Sequence, residues 1–169
     1  MMENIQKKIQ ILINLYKSRR LSEAEVLNNE LLKSYPKVVI LYNILGLVLT
    51  EQHKFEEAIQ CYEKGIKIDP NFAEIYDNLG TVYKLKGNYT KAENYYKKSI
   101  HINKKIAGSH NNLANLYILL NRQREGIIFY NKAININPKF FVAHYNLAVA
   151  YKNIGKFEEA KKHLNKAIK

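Results

Sequence analysis

The chain's three prolines, Pro36, Pro70 and Pro138, lie 34 and then 68 residues apart, and 68 is twice 34. Proline cannot donate a backbone N–H and disfavours helix in the residue before it, so prolines on a fixed grid mark repeated stops. A period of this size is the signature of stacked supersecondary units and has to be tested before any other reading. Laid out at that period, the chain divides into segments 5–38, 39–72, 73–106, 107–140 and 141–169, with no insertion or deletion.

The columns of this layout agree in chemistry. The eighth holds Leu12, Gly46, Gly80, Ala114 and Ala148, and the twentieth holds Ala24, Ala58, Ala92, Gly126 and Ala160. Small residues at matched places let two antiparallel helices approach closely while large apolar side chains fill the flanks. Those are supplied by Ile11, Leu45, Leu79, Leu113 and Leu147 in the seventh column, and by Tyr62, Tyr96, Tyr130 and Leu164 in the twenty-fourth. Asn28 is the exception in that last column. Spacings of three and four place these residues on single helical stripes. Each segment thus predicts a helix, a short turn, a second helix and a stop. The turn falls at Arg19, His53, Gly87, Asn121 and Gly155, of which the glycines and Asn121 suit the left-handed residue that ends a helix. The third segment has Lys104 where proline should stand, so its stop is expected to be the weakest, with Gly108 the nearest other breaker.

These columns resemble the tetratricopeptide repeat, a 34-residue pattern of Trp-x2-Leu-Gly-x2-Tyr, then Ala-x3-Phe, then Pro. The third segment shows Tyr76, Leu79, Gly80, Tyr83, Ala92 and Tyr96; the second shows Tyr42, Leu45, Gly46, Ala58, Tyr62 and Pro70; the fifth shows His144, Leu147, Ala148, Tyr151 and Ala160. The fourth substitutes His110, Ala114 and Gly126, and the first, with Lys8 in the aromatic column, is the most degenerate. The resemblance implies an all-α fold, a right-handed superhelical solenoid of helix-turn-helix repeats forming a single domain over 1–169. First helices would line a concave groove and second helices the convex back. The chain stops five residues short of a fifth full period and no polar capping helix follows, so it is expected to be a piece of a longer polypeptide.

Under that geometry the groove is lined by columns two, five, six, nine, twelve and thirteen, expected to be exposed. Column six holds Asn78, Asn112 and Asn146 in successive repeats, preceded by Gln10 and Ile44. Flanking columns add Asn43, Asn111, Asn115, Thr81, Tyr145, Lys84 and Lys152. An Asn amide offers two donors and an acceptor, so a ladder of them can pair with the main chain of an extended peptide whatever its sequence. The column is similar to the asparagine ladder in the substrate-recruiting repeats of O-linked N-acetylglucosamine transferases, which implies peptide-backbone contacts for Asn78, Asn112 and Asn146. The chain also has 20 Asn among 169 residues, so three in a row equally fits solvated asparagines. The carboxylate clamp of chaperone co-factors is absent from the sequence. Its cationic positions are filled by Asn43, Gly108 and Asn112 in one register and by Asp77, Val142 and Asn146 in the next, so no capture of carboxylate tails is expected.

Chemistry beyond binding is not indicated. His110 and His144 replace an aromatic packing residue, the remaining histidines fall at unrelated columns, and no phosphate loop or nucleophile motif occurs. Neither catalytic residues, metal nor cofactor are expected. A lone Cys61 excludes an internal disulfide and fits a buried thiol. The net charge of +12 comes from 23 Lys and only 4 Arg, in a chain also rich in Ile and Asn, and partly reflects A/T-rich codons. It falls largely on second helices and is interrupted by the second segment, which carries −2. Nucleic acid is therefore disfavoured as partner, and a neutral to acidic protein or peptide is favoured by Lys84 and Lys152. The start has neither a signal-peptide apolar region nor a cleavage site, and no run approaches a membrane span, so a cytoplasmic location is expected. The sequence leads to a non-catalytic interaction scaffold. Three alternatives stay open: the recruiting region of a larger glycosyltransferase or sulfotransferase, a basic convex face binding nucleic acid or acidic lipid, and homo-association through terminal helices.

Overall fold

The computed structural model describes residues 2–167, which divide between Val82 and Tyr83 into two compact units. Every regular element among the described residues is an α-helix. The first unit contains α1 (Met2–Lys17), α2 (Leu21–Ser34), α3 (Val39–Glu51), α4 (Phe55–Ile68) and most of α5 (Ala73–Leu85). The second contains α6 (Tyr89–Ile102), α7 (Ala107–Leu119), α8 (Gln123–Ile136), α9 (Phe141–Asn153) and α10 (Phe157–Ala167).

The turn inside each helix pair is built the same way five times. Arg19, His53, Gly87, Asn121 and Gly155 all have φ between 58° and 76°. The N–H that follows each one reaches the carbonyl five residues back: Arg20 to Leu15, Lys54 to Leu49, Asn88 to Tyr83, Arg122 to Tyr117 and Lys156 to Tyr151, at 2.8–3.0 Å. This is the Schellman closure, which satisfies carbonyls that a helix end would orphan. Arg19 and His53 adopt the left-handed conformation without the glycine or asparagine that favours it. The second helices start with carboxylates in the first turn, Glu23, Glu56, Glu57, Glu125, Glu158 and Glu159, where they complement the helix dipole. On α6, which lacks them, Asn88 Oδ1 caps the N-terminus by accepting from the Lys91 N–H at 3.1 Å.

The stop after α6 corrects the expectation of weakness. Helix α6 ends at Ile102, the same column as Ile68 of α4 and Ile136 of α8. In each case an Asx turn follows: Asp69 Oδ1 accepts from the Asn71 N–H, Asn103 Oδ1 from Lys105, and Asn137 Oδ1 from Lys139, at 2.9–3.1 Å. The side chain before the proline position thus ends the helix whether or not proline is present, and Gly108 lies inside α7 and breaks nothing. Asn103 has φ −138° and ψ 99°, close to the −137° and 97° of Asp69 ahead of Pro70. Lys104→Pro should therefore fit without strain and raise stability by about 0.4–1 kcal/mol through the unfolded state, measured as a shift in urea midpoint.

Burial follows the columns. In the first unit Leu12, Ala24, Leu31, Leu41, Ile44 and Val48 form one core cluster. In the second, Ala92 and Tyr96 of α6 pack with Leu113, Leu116 and Tyr117 of α7, and Ala114 and Tyr130 pack with Leu147 and Ala150 of α9. Asn28, the exception in the tyrosine column, is fully buried and donates from Nδ2 to the Leu41 carbonyl at 3.0 Å.

Candidate functional site

Two of the three column-six asparagines, Asn78 and Asn146, are hydrogen-bonded to other asparagines of the predicted groove, one in each unit. In the first unit Asn78 Nδ2, on α5, donates to Asn43 Oδ1, on α3, at 2.8 Å. Asn43 is buried rather than exposed, and Thr81 turns its hydroxyl back to the Asp77 carbonyl at 3.3 Å. In the second unit Asn146 Nδ2, on α9, donates to both Asn111 Oδ1 and Asn115 Oδ1, on α7, at 3.2 Å each. Asn115 Oδ1 also accepts from the Tyr130 hydroxyl at 2.6 Å.

The rule common to both units is that a column-six amide donates to the column-five side chain of the preceding repeat. Its consequence is chemical. Asn146 has committed both amide protons and offers its carbonyl oxygen, while Asn115 has committed its oxygen and offers its amide N–H groups. Asn111 is buried, whereas Asn112, Asn115 and Asn146 are half-buried and Tyr145 beside them is 55% exposed. Lys152 is exposed about two turns further along α9, and Lys84 is half-buried near the end of α5.

The aromatic column has a polar duty that the sequence reading missed. The hydroxyls of Tyr42 and Tyr76 donate to the carbonyls of Pro36 and Pro70, both at 3.0 Å. His110 Nε2 reaches the Lys104 carbonyl at 3.0 Å and His144 Nε2 the Pro138 carbonyl at 3.1 Å. Each closes the turn six residues upstream, so Tyr and His interchange because both put an N–H or O–H donor at the end of a flat ring. Since a carbonyl only accepts, both histidines carry their proton on Nε2.

His144 and His163 come together, although the columns gave no reason to pair them. Their Nδ1 atoms are 3.0 Å apart and the rings stack at 5.2 Å. With His144 Nδ1 a bare acceptor, His163 Nδ1–H is the donor. Burial, then the neighbouring His144, Lys166 and Lys162, hold His163 below the usual histidine range. No group of three or more His, Cys, Asp or Glu that could hold a metal occurs among the described residues. Cys61 Sγ donates to the Tyr42 carbonyl at 3.3 Å, and burial pushes its thiol up to about 12, so it is protonated and inert at neutral pH.

A second polar cluster sits at the α6–α8 turns. Glu93 accepts from Tyr117, Arg122 and Lys97 at 2.7–3.0 Å, and the Arg122 guanidinium lies 4.1 Å over the Tyr117 ring. Burial raises the Glu93 carboxyl, but these hydrogen bonds outweigh it and hold the group below its ordinary value. Arg122 is further engaged by Glu125 at 2.5 Å. With its charges mutually neutralised, the cluster ties helices together rather than presenting a free cation or carboxylate.

An all-α array of helix pairs, with recurring turns and stacked columns, defines a helical repeat solenoid of the interaction-scaffold class. Three family models match it: TPR repeat over residues 46–87, and tetratricopeptide repeat over 71–139 and over 129–162. The chain belongs to the tetratricopeptide-repeat family. No curated protein matches the sequence. Among solved structures it is similar to MamA, with 25% identity, a TM-score of 0.74, and 94% of this chain and 92% of that one covered. PilF of Pseudomonas aeruginosa aligns at 14% identity with a TM-score of 0.86, over 96% of this chain and 74% of that one. YrrB, described as a TPR protein with an unusual peptide-binding site, aligns at 20% identity with a TM-score of 0.64, over 95% and 83%. No helix among the described residues is long and apolar enough to cross a membrane.

Proposed function

We propose that the chain is a non-catalytic scaffold that holds an extended segment of a partner protein against the first helices of its repeats. The observation that carries this reading is the Asn146 junction, where one amide is fixed by Asn111 and Asn115. Fixing leaves an acceptor on Asn146 and donors on Asn115 side by side, the complement of one peptide unit, which has one N–H and one C=O. Because these groups are already ordered, a bound main chain loses less entropy in meeting them. Asn112 shares α7 with Asn111 and Asn115, and Tyr145 supplies an exposed aromatic surface next to Asn146 on α9. In the first unit Asn78, held by Asn43, repeats the column-six to column-five bond, with Leu47 where the second unit has Asn115. The peptide-binding site named for YrrB supports the reading only through the shared fold. Lys152 and Lys84 favour a neutral or acidic segment over a basic one.

Alanine substitution is a poor test here, since removing Asn78 or Asn146 also removes internal hydrogen bonds. Site-directed photocrosslinking avoids this. A benzophenone side chain in place of exposed Tyr145, on a first helix, should capture a partner polypeptide from the native lysate. The same group in place of exposed Asn94, on second helix α6, should not. Capture from position 94 alone, or equal capture from both, would sink the groove reading.

A further inference from the structure

We infer that the cavity between α2, α3 and α4 is a binding site for a phenol ring. It lies between the second helices of the first two repeats, so it is separate from the first-helix surface proposed above and does not depend on it.

The cavity measures about 240 Å³, with Leu32, Tyr42, Leu49 and Cys61 among its walls and half-buried Glu25 and exposed Lys64 at its rim. Its three helices are consecutive, preceded by α1 and followed by α5. The volume decides the size of the ligand. A dry cavity of about 150 Å³ takes up benzene, whereas drug-sized ligands occupy about 300 Å³ or more. One substituted ring fits between those limits.

The second unit shows what the same place holds when the chain fills it itself. The twenty-third column reads Leu27, Cys61, Tyr95, Phe129 and His163. Each of the last three brings a ring against the eleventh-column ring of its own repeat: Tyr95 stacks on Tyr83 at 5.3 Å, Phe129 meets Tyr117 at 5.6 Å and His163 meets Tyr151 at 5.8 Å. Phe129 and His163 also stack on the fourth-column rings of His110, at 5.9 Å, and His144, at 5.2 Å. In the second repeat Tyr42 supplies the fourth-column ring, but Cys61 and Leu49 stand where the fourth repeat has Phe129 and Tyr117. Two rings give way to two smaller side chains, and both of these line the cavity.

The same template specifies a hydroxyl. Glu93 accepts from the Tyr117 hydroxyl and from the Arg122 guanidinium. Glu25 occupies that column in the first repeat, and Lys54, in the place of Arg122, donates to its two oxygens at 3.1 and 2.9 Å. Leu49 sends no hydroxyl. A carboxylate accepts at about four lone-pair sites, so even with the Gln52 side chain bonded to it as well, Glu25 retains capacity for a phenol O–H. Lys64 shares its column with Lys132, whose ammonium lies 4.4 Å from the Phe129 ring centroid, so a ring lying beside Tyr42 gains the same cation–π contact. Stacking face, cation and acceptor recur, and the ring is left to a ligand. Because Glu25 and Glu57 both line the cavity, it favours a neutral phenol, which donates, over a phenolate.

The probe is p-cresol, titrated into the isotope-labelled full chain and followed by amide chemical shifts. Signals of α3 and α4 around Leu49 and Cys61 should move and saturate. Cys61→Phe, which installs the ring that the fourth repeat carries, should weaken binding about tenfold or more while melting no lower than the parent. Toluene, which lacks only the hydroxyl, should bind about threefold or more weaker than p-cresol, and Glu25→Leu should erase that preference. N-acetyltyrosinamide separates the sources of the ring. If it binds as p-cresol does, the cavity takes a tyrosine of a partner polypeptide; if p-cresol alone binds, it takes a free phenol, and either result supports the site. The proposal is overturned by absent saturation, by binding that Cys61→Phe leaves intact, or by equal affinity for toluene and p-cresol. It is overturned as well if Cys61→Phe melts well below the parent, because the cavity then has no room for a ring.

Discussion

Gly46→Val should destabilise the first unit by about 1–3 kcal/mol, the usual cost of forcing extra methyl groups into a packed core. A Cβ built on Gly46 would stand 2.3 Å from Tyr62 Cε1 and 2.4 Å from Cζ, well inside any real contact. Tyr62 has no room to withdraw, being fully buried on α4. The column itself grades the effect. In the fourth repeat Ala114 stands in the place of Gly46 and shares a cluster with Tyr130, whose hydroxyl is drawn to Asn115. One methyl group is thus tolerated where the ring is held aside, so Gly46→Ala should cost less than Gly46→Val. Pairing Gly46→Val with Tyr62→Leu, which removes the obstructing ring, should recover part of the loss. Urea denaturation of the three variants and the double variant measures this. A Gly46→Val midpoint equal to that of the parent would mean that α3 and α4 are not seated as closely as described.

That close seating was readable from the small columns, and the turns were readable in part. A left-handed residue was expected at Gly87, Asn121 and Gly155 from their chemistry. Arg19 and His53 adopt it too, because the Schellman closure imposes the conformation on whatever residue the register places there. The stop after α6 was misjudged for a related reason. Proline is the visible breaker, but the Asx side chain before it makes the turn, and Asn103 was present all along. Residue identities at one column carry such local geometry well.

They carry cross-repeat pairing poorly. The asparagine column was legible as a column but not as a set of amides donating to the repeat before, since that depends on how two helices are rotated against each other. Asn43 and Asn111 consequently looked exposed and are buried. The donor duty of Tyr42, Tyr76, His110 and His144 could have been found. The constant six-residue step from the proline column to a ring bearing a terminal donor was in the sequence, and the exchange of Tyr for His, but not Phe, was its signal. Nothing in the columns pointed to His163, because its position on α10 pairs with His144 only through the packing of the last two helices.

Acidification through the histidine range should destabilise the second unit, and His110 should be a main cause. Its Nε2 proton is given to the Lys104 carbonyl, so the site that titrates is Nδ1, which is buried with no hydrogen-bond partner. Protonation there would place a second, unpaired N–H and a positive charge beside Phe129 and near Lys132. Burial, and then the Lys132 charge against the helping Lys104 carbonyl, accordingly hold His110 below its ordinary value of 6.5. The folded state refuses a proton that the unfolded chain accepts, so the stability from the neutral ring is fully present above about pH 6.5 and is lost as the pH falls below it. His163 is shifted the same way and adds to the loss, since charging it sets a cation among His144, Lys162 and Lys166. The urea midpoint should therefore drop between pH 7.5 and pH 5.5 in the parent. It should drop less in His110→Tyr, which installs the non-titrating donor that Tyr42 and Tyr76 already use for the same carbonyl contact. If His110→Tyr and the parent lost stability in parallel, the acid response would have to come from His163, and the buried Nδ1 would be exonerated.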